Sequence, residues 1–266
     1  MSKETILDVK DIGLHFGGVK AVDGLSFSIQ RGKVFALIGP NGSGKTTTLN
    51  LITGVYQPQW GEVLFDGTVI SSMPRPAIAR LGLTRTFQNL RIYKTLTLLE
   101  HVLVGGYSLS TAGFLSSVFK LPGGKADEKR AVKQSMELLE KVKLADRANS
   151  LATSLSYGQR RLLEIARALA LKPKILFLDE PAAGMSSDEI GQLIELIKTL
   201  RDKENITVMV IEHRMKLVMT VADKIVVLNY GKKIAEGTPD HVQNNEQVIE
   251  AYLGKRHKKI GVGIEI

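Results

Sequence analysis

Val34-Phe-Ala-Leu-Ile38 runs straight into Gly39-Pro-Asn-Gly-Ser-Gly-Lys45-Thr46, and this junction decides the fold. A short continuous apolar run reads as a buried strand. The eight residues after it fit two glycines flanking four free positions, then Lys and a hydroxyl residue. Gly39, Gly42 and Gly44 let the backbone turn tightly and point its N–H groups inward, with Pro40, Asn41 and Ser43 completing the arc. A helix beginning near Lys45 aims its positive end at the same point. Such a loop is suited to nucleotide phosphates. Lys45 adds charge against the β- and γ-phosphates, and Thr46 offers a hard oxygen to Mg²⁺, with Thr47 next in the nucleotide-binding run.

Two further buried runs end in polar residues. Ile175-Leu-Phe-Leu178 reads as a central parallel strand buried on both faces, and it delivers Asp179 and Glu180 to its carboxyl end, where open α/β sheets bind ligands. Asp179 there suits Mg²⁺, and Glu180 can polarise a water for in-line attack on a γ-phosphate. Thr207-Val-Met-Val-Ile211 has the same polarity and leads into Glu212 and His213. A neutral imidazole at that point can bond to a γ-phosphate and orient water. Each site has a blander reading, since carboxylates often cap helices and an isolated His often merely enters one. Convergence on one crevice favours the chemical reading.

Leu155-Ser-Tyr-Gly-Gln159 has no evident packing rationale in the sequence. Ser156 is a good N-cap and Gly158 frees backbone amides. The following Gln159–Leu171 segment carries apolar residues at Leu162, Ile165 or Ala166, and Leu169, the pattern of an amphipathic helix. Its start is anion-seeking, while taken without the other motifs the stretch reads as a plain capped amphipathic helix.

These stretches together resemble the ATP-binding subunit of the ABC transporter family, from about Ile6 to Gly254. The resemblance implies an α/β phosphate-loop NTPase (RecA-like) fold: a parallel sheet core, an N-terminal antiparallel β subdomain and an inserted helical subdomain over about 95–170. It implies ATP and Mg²⁺ as ligands. Ser156, Gly158 and Gln159 then contact the γ-phosphate bound to an opposing subunit, Phe16 stacks on adenine, and Gln88 couples the site to membrane subunits while bonding water or the metal ion. Thr46, Gln88 and Asp179 are the metal set; Lys45, Gln88, Glu180 and His213 are the catalytic set. One departure is Pro181-Ala-Ala-Gly-Met-Ser186, which has Ser where the family often has Asp. That variant resembles the subgroup that imports branched-chain amino acids. So do Arg85-Thr-Phe-Gln-Asn-Leu-Arg-Ile-Tyr93, Leu96-Thr-Leu-Leu-Glu-His-Val102 and the ending Glu250-Ala-Tyr-Leu-Gly254.

The expected partners are a second ATP-binding subunit, either a copy or a paralogue, a membrane permease and, indirectly, a periplasmic or extracellular substrate-binding protein. Composition agrees. With 266 residues and 44% hydrophobic content the chain can bury a sizeable core, and strands alternating with helices argue for one α/β unit with an inserted lobe. Between about Thr95 and Ser154 the pattern turns helical, most clearly over Asp127–Val142 with apolar Val132, Met136, Leu139 and Val142. Thr111–Gly124 is apolar yet loop-like, and is expected to pack on that lobe.

No apolar run reaches membrane-spanning length and no signal peptide precedes the first strand, so the expectation is a cytoplasmic protein peripheral to the membrane's inner face. The absence of Cys excludes disulfides and thiol chemistry. The +9 formal charge invites a nucleic-acid partner, but only Lys255-Arg-His-Lys-Lys259, in the tail 255–266, is dense. No nucleic acid is expected. Two alternatives stay open on sequence alone: a lipopolysaccharide-export ATPase of similar core, and a soluble ABC ATPase acting on nucleic acid.

Overall fold

The structure, a computed structural model, describes residues 5–86, 92–106 and 124–253. Gln88, most of the 111–124 segment and the basic tail lie outside them. Among the described residues ten strands form two sheets. The larger has the order β10-β9-β3-β8-β7-β6, with β3 (Val34–Ile38) between β8 (Thr207–Ile211) and β9 (Lys224–Asn229), then β7 (Ile175–Asp179) and β6 (Leu83–Arg85). These five run parallel, and only β10 (Lys232–Gly237) is antiparallel. The three runs identified from hydrophobicity are the three fully buried strands, β3, β7 and β8. The smaller sheet, β2-β1-β4-β5, is antiparallel, built from β1 (Thr5–Phe16), β2 (Val19–Gln30), β4 (Trp60–Phe65) and β5 (Thr68–Val69).

Side chains alternate across a strand, so each central strand feeds two cores. Ile175 and Phe177 of β7, with Met209 and Ile211 of β8, join the smaller sheet and helix α1 (Lys45–Ile52). Leu176, Leu178, Val208 and Val210 face the other way. They pack with α3 (Leu98–Gly106), α4 (Gly124–Lys141), α5 (Tyr157–Leu169) and α6 (Ser187–Asp202). Helix α2 (Arg75–Arg80) precedes β6, and α7 (Met215–Val221) joins β8 to β9. A third cluster seats Ala36, Ile38, Ile225 and Val227 against Val218 of α7 and Val242 of α8 (Pro239–Gln243). Helix α9 (Glu246–Leu253) follows.

Each buried side chain of this size contributes roughly 1.5–3 kcal/mol, so burial on both faces holds the carboxyl ends of β3, β7 and β8 in register. Leu37 and Asp179 both pair with Ile211. That register brings the three polar strand extensions together. Helix α4 begins three residues before the start read from sequence, at Gly124 rather than Asp127, and ends at Lys141. Leu139 and Val142 are buried, as their spacing implied.

Candidate functional site

The loop after β3 depends on glycine at two positions. Gly39 has φ 152, and a Cβ there would lie 2.2 Å from the Leu228 carbonyl oxygen; Gly44 has φ 103, and its Cβ would lie 2.3 Å from that of Ala21. Bulk at either would push the loop off the sheet. Lys45 closes the arc: its Nζ donates to Gly39 O at 2.7 Å and Pro40 O at 3.0 Å. Burial lowers the pKa of this ammonium, an effect that Glu180 and Asp179 oppose. The Ser43 hydroxyl is buried with no hydrogen-bond partner among the described residues. Helix α1 begins with no side-chain cap. Its first-turn amides therefore need an acceptor from elsewhere.

Asp179 ends β7 almost fully buried, and its Oδ2 accepts from Arg85 Nη2 at 2.7 Å. Glu180 follows with φ 47, in the left-handed region, and donates its N–H to Ile211 O at 2.9 Å. This conformation costs on the order of 1 kcal/mol and re-aims the carboxylate as it leaves the strand. Glu212 is wholly buried. Its Oε1 accepts from Ala182 N–H at 2.8 Å, and its Oε2 accepts from the N–H groups of His213 at 3.0 Å and Arg214 at 3.1 Å. One carboxylate thus holds both the loop after Glu180 and the loop that carries His213. The imidazole itself is half-exposed.

Gly39, Pro40, Asn41, Glu180 and His213 line one open cleft of about 460 Å³, joined by Tyr252 of α9. Burial pushes the Tyr252 phenol up to about 12, while the neighbouring Gly39 backbone pulls the other way. Thr46 is exposed and Thr47 half-buried at the start of α1. Phe16 ends β1, 48% exposed and edge-on to Tyr56 with ring centroids 5.6 Å apart. An aromatic so placed is not a core residue.

Ser156, Gly158 and Gln159 do not line this cleft. Ser156 caps α5 in a reciprocal box with Gln159. Leu155 is buried in the core and Gly158 is buried with it, so this string has a packing role after all: a Cβ on Gly158 would lie 2.2 Å from Glu189 Oε2. Ser186, the departure from the family pattern, caps α6 in a second box with Glu189. Arg85, Glu189, Glu212 and Tyr252 were not among the site residues read from sequence. Only Glu212, wedged between a buried strand and His213, carried a local signal.

The donor set fits a nucleotide phosphate: the 39–46 loop and the start of α1 bring together uncapped helix amides, an orphaned hydroxyl at Ser43 and a buried ammonium. Oxygen ligands at Thr46 and Asp179 suit Mg²⁺. A family model described as ABC transporter matches residues 22–183, which span the phosphate loop, Asp179 and Glu180, and the start of α5. The chain belongs to the ABC transporter family, as an ATP-binding subunit. A second model, described as branched-chain amino acid ATP-binding cassette transporter, matches residues 232–258 of this ABC subunit.

Among relatives, the high-affinity branched-chain amino acid transport ATP-binding protein BraF of Pseudomonas aeruginosa is 45% identical, over 94% of this chain and 98% of its own. The ADP conformation of MJ1267, an ATP-binding cassette of an ABC transporter, is 34% identical with TM-score 0.81, over 95% of this chain and 100% of its own. The ATP-binding cassette MJ0796, bound to ADP and Pi after hydrolysis, is dimeric and 25% identical with TM-score 0.74, over 88% of this chain and 99% of its own. The ABC subunit is accordingly an ATP hydrolase of a transport system. No helix among its described residues is long and apolar enough to cross a membrane.

Proposed function

We propose that this ABC subunit powers uptake of branched-chain or related hydrophobic amino acids, with ATP bound between two ATP-binding subunits. The unit is residues 1–254 with a helical lobe at about 95–170, seated on the cytoplasmic face of a permease that a substrate-binding protein serves from outside. The observation that carries the reading is the single cleft shared by the phosphate loop, Glu180 and His213. The match over residues 232–258 and the name of the 45% identical relative support the cargo.

Phosphates of ATP rest on the amides of the 39–46 loop, with Asn41 and Thr47 at its rim and Phe16 against adenine. Lys45 gives up its hold on Gly39 O and Pro40 O to meet the β- and γ-phosphates. Glu180 polarises the attacking water, and His213 donates a hydrogen bond to the γ-phosphate. Thr46, Asp179 and Gln88 would hold Mg²⁺, which would supply positive charge against the charge that develops on the phosphates. Ser156, Gly158 and Gln159 complete the site of the opposite subunit. A cleft of about 240 Å³ between Thr86, Tyr93, Val104, Gly105, Arg167 and Leu171 suits a permease contact.

Glu180→Gln tests the chemistry. The variant should bind ATP, lose turnover by about 100-fold or more and accumulate as a dimer; normal turnover would remove Glu180 from its role. Stimulation of ATPase by permease and a leucine-loaded binding protein tests the cargo, and stimulation by lipopolysaccharide instead would overturn it.

A further inference from the structure

Glu189 serves two helix starts at once. In α6 its Oε2 accepts from Ser186 N–H at 2.9 Å and its own N–H donates to Ser186 Oγ at 3.3 Å, an ordinary capping box. Its Oε1 accepts the hydroxyl of Ser156, at the start of α5, at 2.6 Å. The Gln159 backbone N–H faces the same carboxylate. The contact is tight enough that a methyl group on Gly158 would overlap both carboxylate oxygens, at 2.2 and 2.5 Å. Ser156 first, then the Ser186 backbone, hold the Glu189 carboxyl below the usual carboxylate range, so it is an anion at neutral pH. A negative group from the chain itself therefore already sits on the positive end of α5.

The paired-site reading under Proposed function, on which this inference rests, brings the γ-phosphate of the other subunit's ATP to that same helix start. Ser156 has one O–H to give, and two anions cannot share one helix end without repulsion. We propose that Glu189 is a positioning residue that stands in for that phosphate: it holds the α5 start in the nucleotide-free subunit and yields Ser156 when the pair closes. Because the same carboxylate holds Ser186, its release reaches the loop that begins at Glu180. Closure over nucleotide on one subunit is thereby reported to the hydrolytic loop of the other.

The test is ATP-driven dimerisation in the Glu180→Gln background, measured by light scattering, with Glu189→Gln and Glu189→Asp added separately. Gln keeps the reach without the charge. Asp keeps the charge and can still cap α6, but is one methylene short of Ser156. Both should reach half-maximal dimerisation at about tenfold less ATP, since a charge-assisted competitor has gone, with nucleotide affinity of the monomer unchanged. A carboxylate with only a structural role would loosen both helix starts when altered. It would then leave unchanged or raise the ATP needed, and that result overturns the proposal. If the Glu180→Gln parent stays monomeric at saturating ATP, the paired-site reading fails and this inference falls with it.

Discussion

Arg85 Nη2 donates to Asp179 Oδ2 at 2.7 Å while its Nη1 reaches Asn50 Oδ1 at the same distance, so one guanidinium ties the ends of β6 and β7 to α1. The pair is nearly buried, with side-chain exposures of 11% and 3%. Removing one partner of such a pair leaves an uncompensated charge and costs roughly 3–5 kcal/mol. Arg85→Ala should lower unfolding stability in urea by about that amount, and Asp179→Asn added to it should recover part of the loss.

Glu212 accepts three backbone N–H groups from two loops that carry candidate catalytic residues. A charged acceptor of this kind contributes roughly 1.5–3 kcal/mol per bond, and its loss frees both loops. Glu212→Ala is expected to cut kcat by about 10-fold or more while ATP affinity stays within about 2-fold, because displaced groups lose transition-state contacts before ground-state ones. Equilibrium ATP binding and steady-state turnover, measured on the same preparation, separate the two effects.

His101 sets a pH limit on the helical region. It is buried, with Nδ1 at 2.8 Å from Thr97 O and Nε2 accepting from Tyr93 N–H at 3.0 Å, an arrangement that suits a neutral ring with its proton on Nδ1. Burial holds its pKa below the ordinary 6.5, helped by Arg167 and opposed by Thr97 O and Glu100. The unfolded chain then takes up the proton first. Stability is full above about pH 6.5 and declines as pH falls from there toward the folded-state pKa. Thermal unfolding of the wild type should show this slope, and His101→Gln should flatten it.

Two glycines should respond in opposite ways. Gly39→Ala puts a Cβ against the Leu228 carbonyl at a φ of 152, and should abolish ATP binding by displacing the loop. Gly191→Ala lies inside α6, where a Cβ meets nothing within 4 Å. It should raise stability by roughly 0.5–1 kcal/mol, read by chemical denaturation.

What the sequence made legible is what local pattern encodes. Val34–Ile38, Ile175–Asp179 and Thr207–Ile211 are continuous apolar runs with polar residues at their ends, so both the strands and the cleft they open into follow from hydrophobicity and order. The supporting contacts were hidden because they join residues far apart in the chain: Arg85 to Asp179 across 94 positions, Ser156 to Glu189 across 33, Ala182 to Glu212 across 30. Leu155–Gln159 looked free of packing duty for the same reason, since the group that crowds Gly158 comes from another helix. Tyr252 reaches the cleft only because α9 folds back beside the phosphate loop.

The central claim is that each hydrolytic site is divided between two subunits, and mixing tests it most directly. Lys45→Ala removes the phosphate-loop ammonium and Ser156→Arg blocks the start of α5; each variant alone should be inactive. A mixed pair carries one site with both halves intact, so combining the two inactive proteins should restore ATP hydrolysis, rising with the concentration of either. Continued inactivity of the mixture, or full activity of Ser156→Arg on its own, would contradict the account.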